Sequence, residues 1–150
     1  MLSQTVEYAL RASIFVARQS PRFVPVTEVA DGIGAPRNYL GKVFTQLARA
    51  GFLDSTRGAA GGFRLAPGAL TKPLSALVSL LEDREPRRCL LGYGNCGNNP
   101  HCTAHQRWRP VAERTDAFFA NTTLNDLLYS PEARTTPPSS EGFHSLLSHS

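Results

Sequence analysis

The stretch that decides the fold runs Pro36-Arg-Asn-Tyr-Leu-Gly-Lys-Val-Phe-Thr-Gln-Leu-Ala-Arg49 and continues Ala50-Gly-Phe-Leu-Asp-Ser-Thr-Arg-Gly-Ala-Ala-Gly-Gly-Phe-Arg-Leu65. In its first part, apolar residues recur at the spacing i, i+3, i+4, i+7, which predicts a helix docked on a core and beginning at Pro36. The opposite face of this helix is polar and basic. The apolar stripe is Leu40, Val43, Phe44 and Leu47, and the outer face is Asn38, Lys42, Thr45 and Arg49, flanked by Arg37 and Gln46.

A shorter helix is predicted just before this stretch, because Thr27 resembles an N-cap and Val29, Ala30 and Ile33 face inward. The glycines at positions 32 and 34 end it. Two short helices joined by a glycine turn are typical of a helix-turn-helix, whose second helix enters the major groove of DNA. A small helical bundle with a solvated polar face would give the same pattern.

The second part of the stretch predicts a β-hairpin, with strands at 52–56 and 63–65 joined by a glycine-rich loop. A hairpin directly after a recognition helix, with an arginine near its tip, is a wing. Arg57 could enter a minor groove or contact phosphates there. A purely structural hairpin would explain the glycines but not Arg57.

The remaining segments predict further helices around this unit. Residues 3–19 have amphipathic spacing, a helix begins at Thr71-Lys72-Pro73 and ends before Pro86, and Thr123 with Asp126 resembles a capping box for a helix over 124–129. Residues 131–150 are rich in Ser, Thr and Pro and are predicted to be a disordered tail.

A late helix carries an apolar stripe that is heavy in aromatic residues. This stripe could be buried within its own subunit or could pack against a symmetry mate. Its members are Trp108, Val111, Ala112, Thr115, Phe118 and Phe119.

All three cysteines, Cys89, Cys96 and Cys102, fall in one glycine- and asparagine-rich segment that also holds His101 and His105. Structural zinc sites usually use cysteine pairs with two to four residues between them, whereas the gaps here are six and five residues. Wide gaps favour an iron–sulfur cluster, with a histidine or carboxylate in the fourth position. The alternatives are a zinc site, inert thiols and, more remotely, a thiol redox enzyme using Cys102 and His105.

Composition bounds the function further. The chain has 150 residues, is 41% hydrophobic and carries a net charge of +4. Residues 1–72 hold 9 Lys/Arg against 4 Asp/Glu, whereas residues 73–150 hold 7 against 8, so the first half suits a polyanion. No apolar run reaches the roughly 18 residues of a membrane span, and no secretory signal is visible. An odd cysteine count without an export signal predicts a reducing, cytoplasmic location.

Several motifs together resemble a known family. These motifs are Tyr8 to Ala12, Asn38 to Leu40, Leu47 to Leu53, the wing Arg57 to Leu65, Cys102-Thr-Ala-His105 with Trp108-Arg109, and Phe118 to Leu127. Over about residues 1–129 the chain is similar to the winged-helix repressors related to the iron–sulfur regulator IscR and the nitric-oxide sensor NsrR. The resemblance implies a bacterial repressor that is not an enzyme, responding to iron–sulfur status, redox state or nitric oxide. It also implies a homodimer on a palindromic operator, with one cluster per subunit near the dimer interface.

The resemblance implies a mainly α fold with a small β wing. The expected parts are a winged helix-turn-helix domain over 1–70, a linker helix, cysteine loop (86–105) and long dimerisation helix over 71–129, and the tail 130–150. DNA contacts are predicted at Arg37, Asn38, Tyr39, Lys42, Gln46, Arg57 and Gly58.

The resemblance implies two alternative sets of cluster ligands. In the IscR-like branch the ligands of a 2Fe–2S cluster fall on Cys89, Cys96, Cys102 and His105. In the NsrR-like branch the fourth ligand is an acidic residue of the partner's first helix, near Glu7, and the core is 4Fe–4S. We favour His105 because a ligand one local turn from Cys102 needs less ordering than a distant one. Gly41 stands where the IscR-like branch has a glutamate used in base discrimination, so the operator sequence is not transferred.

Overall fold

The structure, a computed structural model, describes residues 2–82, 90–91 and 102–129. In this part the chain is mainly helical, with one small antiparallel sheet, which confirms the predicted fold class. The elements are α1 (Gln4–Arg18), α2 (Val26–Ile33), α3 (Arg37–Arg49), β1 (Leu53–Thr56), β2 (Gly62–Leu65), α4 (Leu74–Leu81), α5 (His105–Asn121) and α6 (Leu124–Leu128), with a 3₁₀ turn at Ala69–Thr71.

Helix α1 lies at the centre of the described chain and packs on α2, α3, β2, α4 and α6. The side chain of Ser3 caps its first turn by accepting a hydrogen bond from the backbone amide of Val6 at 3.3 Å. Small side chains on its buried side let the neighbouring elements approach closely. These buried residues are Val6, Ala9, Ala12, Ser13 and Val16.

Helices α2 and α3 form the predicted helix-turn-helix, and Gly34 between them has a φ of 70°, a left-handed conformation that suits glycine. The predicted N-cap at Thr27 is wrong, because α2 already begins at Val26 and Pro25 precedes it without a side-chain cap. Pro36 likewise lies just outside α3 rather than at its first position. The predicted apolar stripe is confirmed, since Leu40, Val43, Phe44 and Leu47 are all buried.

The two strands pair from Leu53↔Leu65 to Thr56↔Gly62. Strand β1 begins one residue later than predicted, and strand β2 begins one residue earlier than predicted. Val24 extends this sheet by exchanging two backbone hydrogen bonds of 2.8 Å with Phe63. The wing is therefore fixed to the segment between α1 and α2.

A second small core joins α1 to the C-terminal helices, and it consists of Val6, Leu74, Val78, Phe119 and Leu124. Helix α4 begins at Leu74, later than predicted, because Ala69–Thr71 form a 3₁₀ turn first. The predicted capping box of α6 is confirmed: Thr123 accepts from the amide of Asp126, and the Asp126 carboxylate accepts from the amide of Thr123.

Helix α5 begins at His105, before the aromatic stripe. Phe119 is the buried residue of this helix, whereas Val111 and Phe118 remain 49% and 51% exposed. Most of the stripe therefore does not bury its apolar surface within the described part of its own subunit. The predicted disordered tail and most of the cysteine loop lie outside the described residues, and the domain boundaries stay a prediction.

Two glycine substitutions should change stability in opposite directions. A Cβ at Gly62 would overlap the backbone carbonyl of Val24, whereas a Cβ at Gly41 would meet nothing within 4 Å. We expect Gly62→Ala to lower the free energy of unfolding by about 1–3 kcal/mol through overpacking. Gly41→Ala should raise it by about 0.5–1 kcal/mol, since alanine is the better helix former. Chemical denaturation measures both, and equal effects would contradict the close approach of β2 to Val24.

Candidate nucleic-acid interface

Helix α3 exposes a polar face opposite its buried stripe. Because α2 and β1 hold that stripe in the core, the outer face is presented on a fixed support. Hydrogen-bonding and cationic side chains of this kind suit the base edges and phosphates of duplex DNA. The exposed residues are Arg37, Asn38, Lys42, Thr45, Gln46 and Arg49.

Arg37 is held by Asp31 of α2. Its Nε and one terminal nitrogen donate to the two carboxylate oxygens of Asp31 at 3.1 Å and 2.7 Å. The hydrogen bond and then the charge of the guanidinium lower the pKa of Asp31 below its usual range. Both side chains are more than half exposed, so the pair orients Arg37 rather than stabilising the fold. Arg37 was predicted as a DNA contact, whereas its pairing with Asp31 was not predicted.

Tyr39 faces α1 rather than solvent. It is half-buried, its hydroxyl is hydrogen-bonded to the hydroxyl of Thr5, and its ring meets that of Tyr8 edge-on at 5.8 Å. The first turn of the candidate recognition helix is thus attached to the first turns of α1. The pattern of α3 alone could not reveal this contact, because its partners are 34 and 31 residues away in sequence.

The tip of the wing is exposed from Ser55 to Ala60, and this region includes both Arg57 and Gly58. Gly58 has a φ of 105°, which a larger residue would rarely adopt. Arg64, the other arginine of the hairpin, lies over the ring of Phe23 and pairs with Asp54 at 3.6 Å. Within the described residues Arg57 makes no ion pair, so its guanidinium is available to a phosphate or a groove.

Two of the predicted cluster ligands are described, and they lie one turn apart. Cys102 is half-buried just before α5, and His105 is the first residue of that helix. The backbone amide of His105 donates to the carbonyl of Cys102 at 3.5 Å, which closes the predicted local turn. Cys89 and Cys96 lie outside the described residues, as does His101. Among the residues that are described, no group of three metal-binding side chains occurs.

Two other residues bear on the cluster hypothesis. Glu7, the alternative fourth ligand, is exposed in the first turn of α1. Trp108, one turn after His105, has a buried Nε1 for which no described residue is a hydrogen-bond partner. A buried N–H without a partner is unusual and suits a nearby acceptor such as a thiolate or sulfide. Three thiols and an imidazole are also the soft donor set that iron–sulfur clusters use, so these residues fit such a group.

The described part of the chain contains no helix that is long and apolar enough to cross a membrane.

Comparison with known proteins gives the family. Residues 2–130 match the profile of the Rrf2 family, which is described as an iron-dependent transcriptional regulator. The regulator IscR of Vibrio vulnificus is 30% identical over 128 residues, covering 85% of this chain and 76% of the relative. A putative HTH-type transcriptional regulator of Aquifex aeolicus is 33% identical over 143 residues, covering 93% of this chain and 99% of the relative.

Solved structures share the fold. CymR, the global cysteine regulator of B. subtilis, superimposes with a TM-score of 0.69 at 22% identity, covering 85% of this chain and 95% of CymR. IscR of T. potens superimposes with a TM-score of 0.66 at 21% identity, covering 91% of this chain and 93% of that IscR. The relatives are regulators of transcription and not enzymes, as the sequence predicted. This chain therefore belongs to the Rrf2 family of winged-helix transcriptional regulators.

Proposed function

We propose that this regulator is a homodimeric repressor that binds a palindromic operator, with an affinity set by an iron–sulfur cluster. The cluster would be bound by Cys89, Cys96, Cys102 and His105. The observation that carries the DNA part is the exposed, cationic tip of the wing beside a recognition helix whose apolar face is wholly buried. The signal is iron–sulfur status, redox state or nitric oxide.

The DNA contacts divide into two kinds. Arg57 and Gly58 form the tip of the wing, where a guanidinium can enter a narrow minor groove or bind phosphate. Lys42 is exposed on α3 and supplies a compact charge suited to phosphate. A dimer would place two copies of α3 in successive major grooves, with half-sites one or two helical turns apart.

The exposed apolar side chains of α5 support dimerisation. Val111 and Phe118 are about half exposed, and so are Leu90 and Leu91 before the helix. Burying large apolar side chains at a symmetric interface removes them from water, at about 25 cal/mol per Å² of apolar surface. A partner packed along α5 would also bring the two cysteine segments close to the interface.

The cluster part of the proposal rests on the donor set. Cys102 and His105 lie one turn apart, and Cys89 and Cys96 supply the remaining thiols. A bound cluster would supply a redox-active and chemically labile centre. With His105 as the fourth ligand we favour a 2Fe–2S core, whereas Glu7 from a partner subunit would favour 4Fe–4S. The indole N–H of Trp108 would donate to a sulfur of the site.

A short path of contacts supports a link between the cysteine segment and DNA. Glu82, the last described residue before that segment, accepts a 2.6 Å hydrogen bond from the backbone amide of Ser3. Two residues further along α1, Thr5 bonds to Tyr39 of α3. A change at residue 82 would therefore reach the recognition helix through a single turn of α1. Such a switch operates only if the two states of the segment bind DNA with different affinity.

Two alternatives make different demands on the chain. A zinc-stabilised or cluster-free regulator would use the cysteines to hold the fold and would lack sulfide. CymR, which shares the fold, is described as a cysteine regulator, so the fold alone does not decide the signal. A thiol redox enzyme is disfavoured because the family regulates transcription.

Removing the wing arginine should weaken DNA binding. We expect Arg57→Ala to lower the affinity for the operator by about 1–3 kcal/mol, since a groove or phosphate contact is lost. Fluorescence anisotropy with a labelled duplex measures this change, and Lys42→Ala should flatten the dependence of affinity on salt. The control is Arg18→Ala, which removes the same charge from an exposed position of α1 outside α3 and the wing. Equal losses for Arg57→Ala and Arg18→Ala would contradict a specific contact by the wing.

The cluster should be visible in protein isolated without oxygen. We expect a coloured protein that contains iron and acid-labile sulfide, and Cys96→Ala should lose most of both because one thiolate ligand is missing. Visible absorption and chemical assays of iron and sulfide measure these quantities. Stoichiometric zinc without sulfide, from cells supplied with iron, would favour the zinc alternative.

The fourth ligand can be identified by paired substitutions. His105→Ala should change the absorption spectrum and make the cluster more labile, whereas Glu7→Ala should leave both unchanged, because His105 lies one turn from Cys102. Spectra and the rate of cluster loss on exposure to air measure the two effects. The reverse result would place the cluster between subunits with an acidic ligand from the partner's α1.

A further inference from the structure

We infer that α3 recognises A·T base pairs in its half-site, contacting adenine through Asn38 and the methyl group of thymine through Thr45. This inference rests on the proposed DNA binding and adds the chemistry of the bases that are recognised. Asn38 and Thr45 are seven residues apart, two helical turns, so both lie along the exposed face of α3.

The hydroxyl group of Thr45 is already engaged. It donates a 2.9 Å hydrogen bond to the backbone carbonyl of Gly41, one turn earlier, although the residue is exposed. Because that hydrogen is used within the helix, Thr45 has no donor left for a base edge. Its methyl group remains, and in the major groove the apolar partner for a threonine methyl is the C5-methyl group of thymine.

Gly41 leaves room for that contact. A Cβ added there would meet nothing within 4 Å, so this flank of the helix beside Thr45 is open. Without a side chain at position 41, the backbone of α3 can approach the edge of a base pair closely. The C5-methyl group of thymine, which projects into the major groove, would occupy this space.

Asn38 lies in the first turn of α3, the part of a recognition helix that contacts base edges. It is exposed and makes no hydrogen bond within the described residues, so both its amide nitrogen and its amide oxygen are available. A carboxamide matches adenine, where it accepts from N6 and donates to N7.

The side chain best suited to guanine is engaged elsewhere. Recognition of O6 and N7 of guanine uses two parallel donors of an arginine, and Arg37 directs two such donors to Asp31. Lys42 has no planar pair of donors and acts as a point charge. The first turns of α3 therefore offer a carboxamide and a methyl group rather than a free guanidinium.

Single-atom changes in DNA test the two contacts. The probe is a duplex selected from a random pool by the purified dimer, with each thymine of one half-site replaced in turn by uracil, which lacks only the methyl group. At one position we expect an affinity loss of about fourfold, which corresponds to about 0.8 kcal/mol, the transfer free energy of one methylene group. Uracil outside the half-sites should have no effect.

Protein variants then assign each contact to its residue. Thr45→Ser keeps the hydroxyl and lacks the methyl, so it should bind the thymine duplex about fourfold more weakly and no longer distinguish uracil. Thr45→Val keeps a methyl and should still distinguish uracil. For Asn38, replacing adenine by 7-deazaadenine removes N7 and should weaken wild-type binding at one position but leave Asn38→Ala unaffected.

The outcomes separate this inference from the proposed function. Absence of salt-dependent binding to any selected duplex would defeat the DNA-binding proposal itself. Tight binding to selected sites whose half-site is read through G·C pairs, or wild-type binding indifferent to every uracil and 7-deazaadenine, would overturn the base chemistry alone. Asp31→Asn supplies a further check, because freeing Arg37 should raise the affinity for a duplex with guanine under the start of α3.

Discussion

The close packing around α1 is the constraint on which the rest of the structure depends. The side chains of this helix that are fully buried are no larger than valine, so α2, α3 and β2 lie close to one side of it and α4 and α6 close to another. Ala9, Ala12 and Val16 belong to the larger core, whereas Val6 belongs to the smaller one. Because interiors are packed at the density of organic crystals, neither group of helices can shift along α1 without opening a gap or causing a clash.

Periodicity in the sequence was sufficient to predict the faces of the helices, but it did not locate where α2, α3 and α4 begin. The stripe of α3 and the capping box of α6 depend on local spacing, which a sequence displays directly. The starts of α2, α3 and α4 differ from the prediction, and these helices share one feature: Pro25, Pro36 and Pro73 each occupy the N-cap position in extended conformation. A proline there restricts the backbone without a side-chain hydrogen bond, so the usual polar capping signal is absent.

The sequence was sufficient to predict which residues of the candidate site are exposed, but not which residues they contact in other elements. Lys42, Gln46 and Arg57 are exposed, as their positions in the pattern imply. Tyr39, in contrast, is attached to α1 through a hydrogen bond to Thr5. This contact could not be predicted, because Thr5 comes from a distant part of the chain. Helical spacing specifies which way a residue faces, whereas a hydrogen bond across two elements also requires the distance between them, which only the packed core determines.

Helix α1 contributes side chains to both hydrophobic cores and so connects the helix-turn-helix to the C-terminal helices. The backbone amide of its N-cap, Ser3, donates to Glu82, and the hydroxyl of Thr5 in its first turn is hydrogen-bonded to Tyr39. A flexible connection would absorb a small displacement at residue 82, whereas a helix whose Ala9 and Ala12 are buried in a dense core would transmit it under the proposed function. Packed interfaces have discrete alternative arrangements rather than a continuous range, so a small displacement there would become a change between two arrangements. For that reason the spacing of two recognition helices in a dimer would depend on how α1 sits between the two cores.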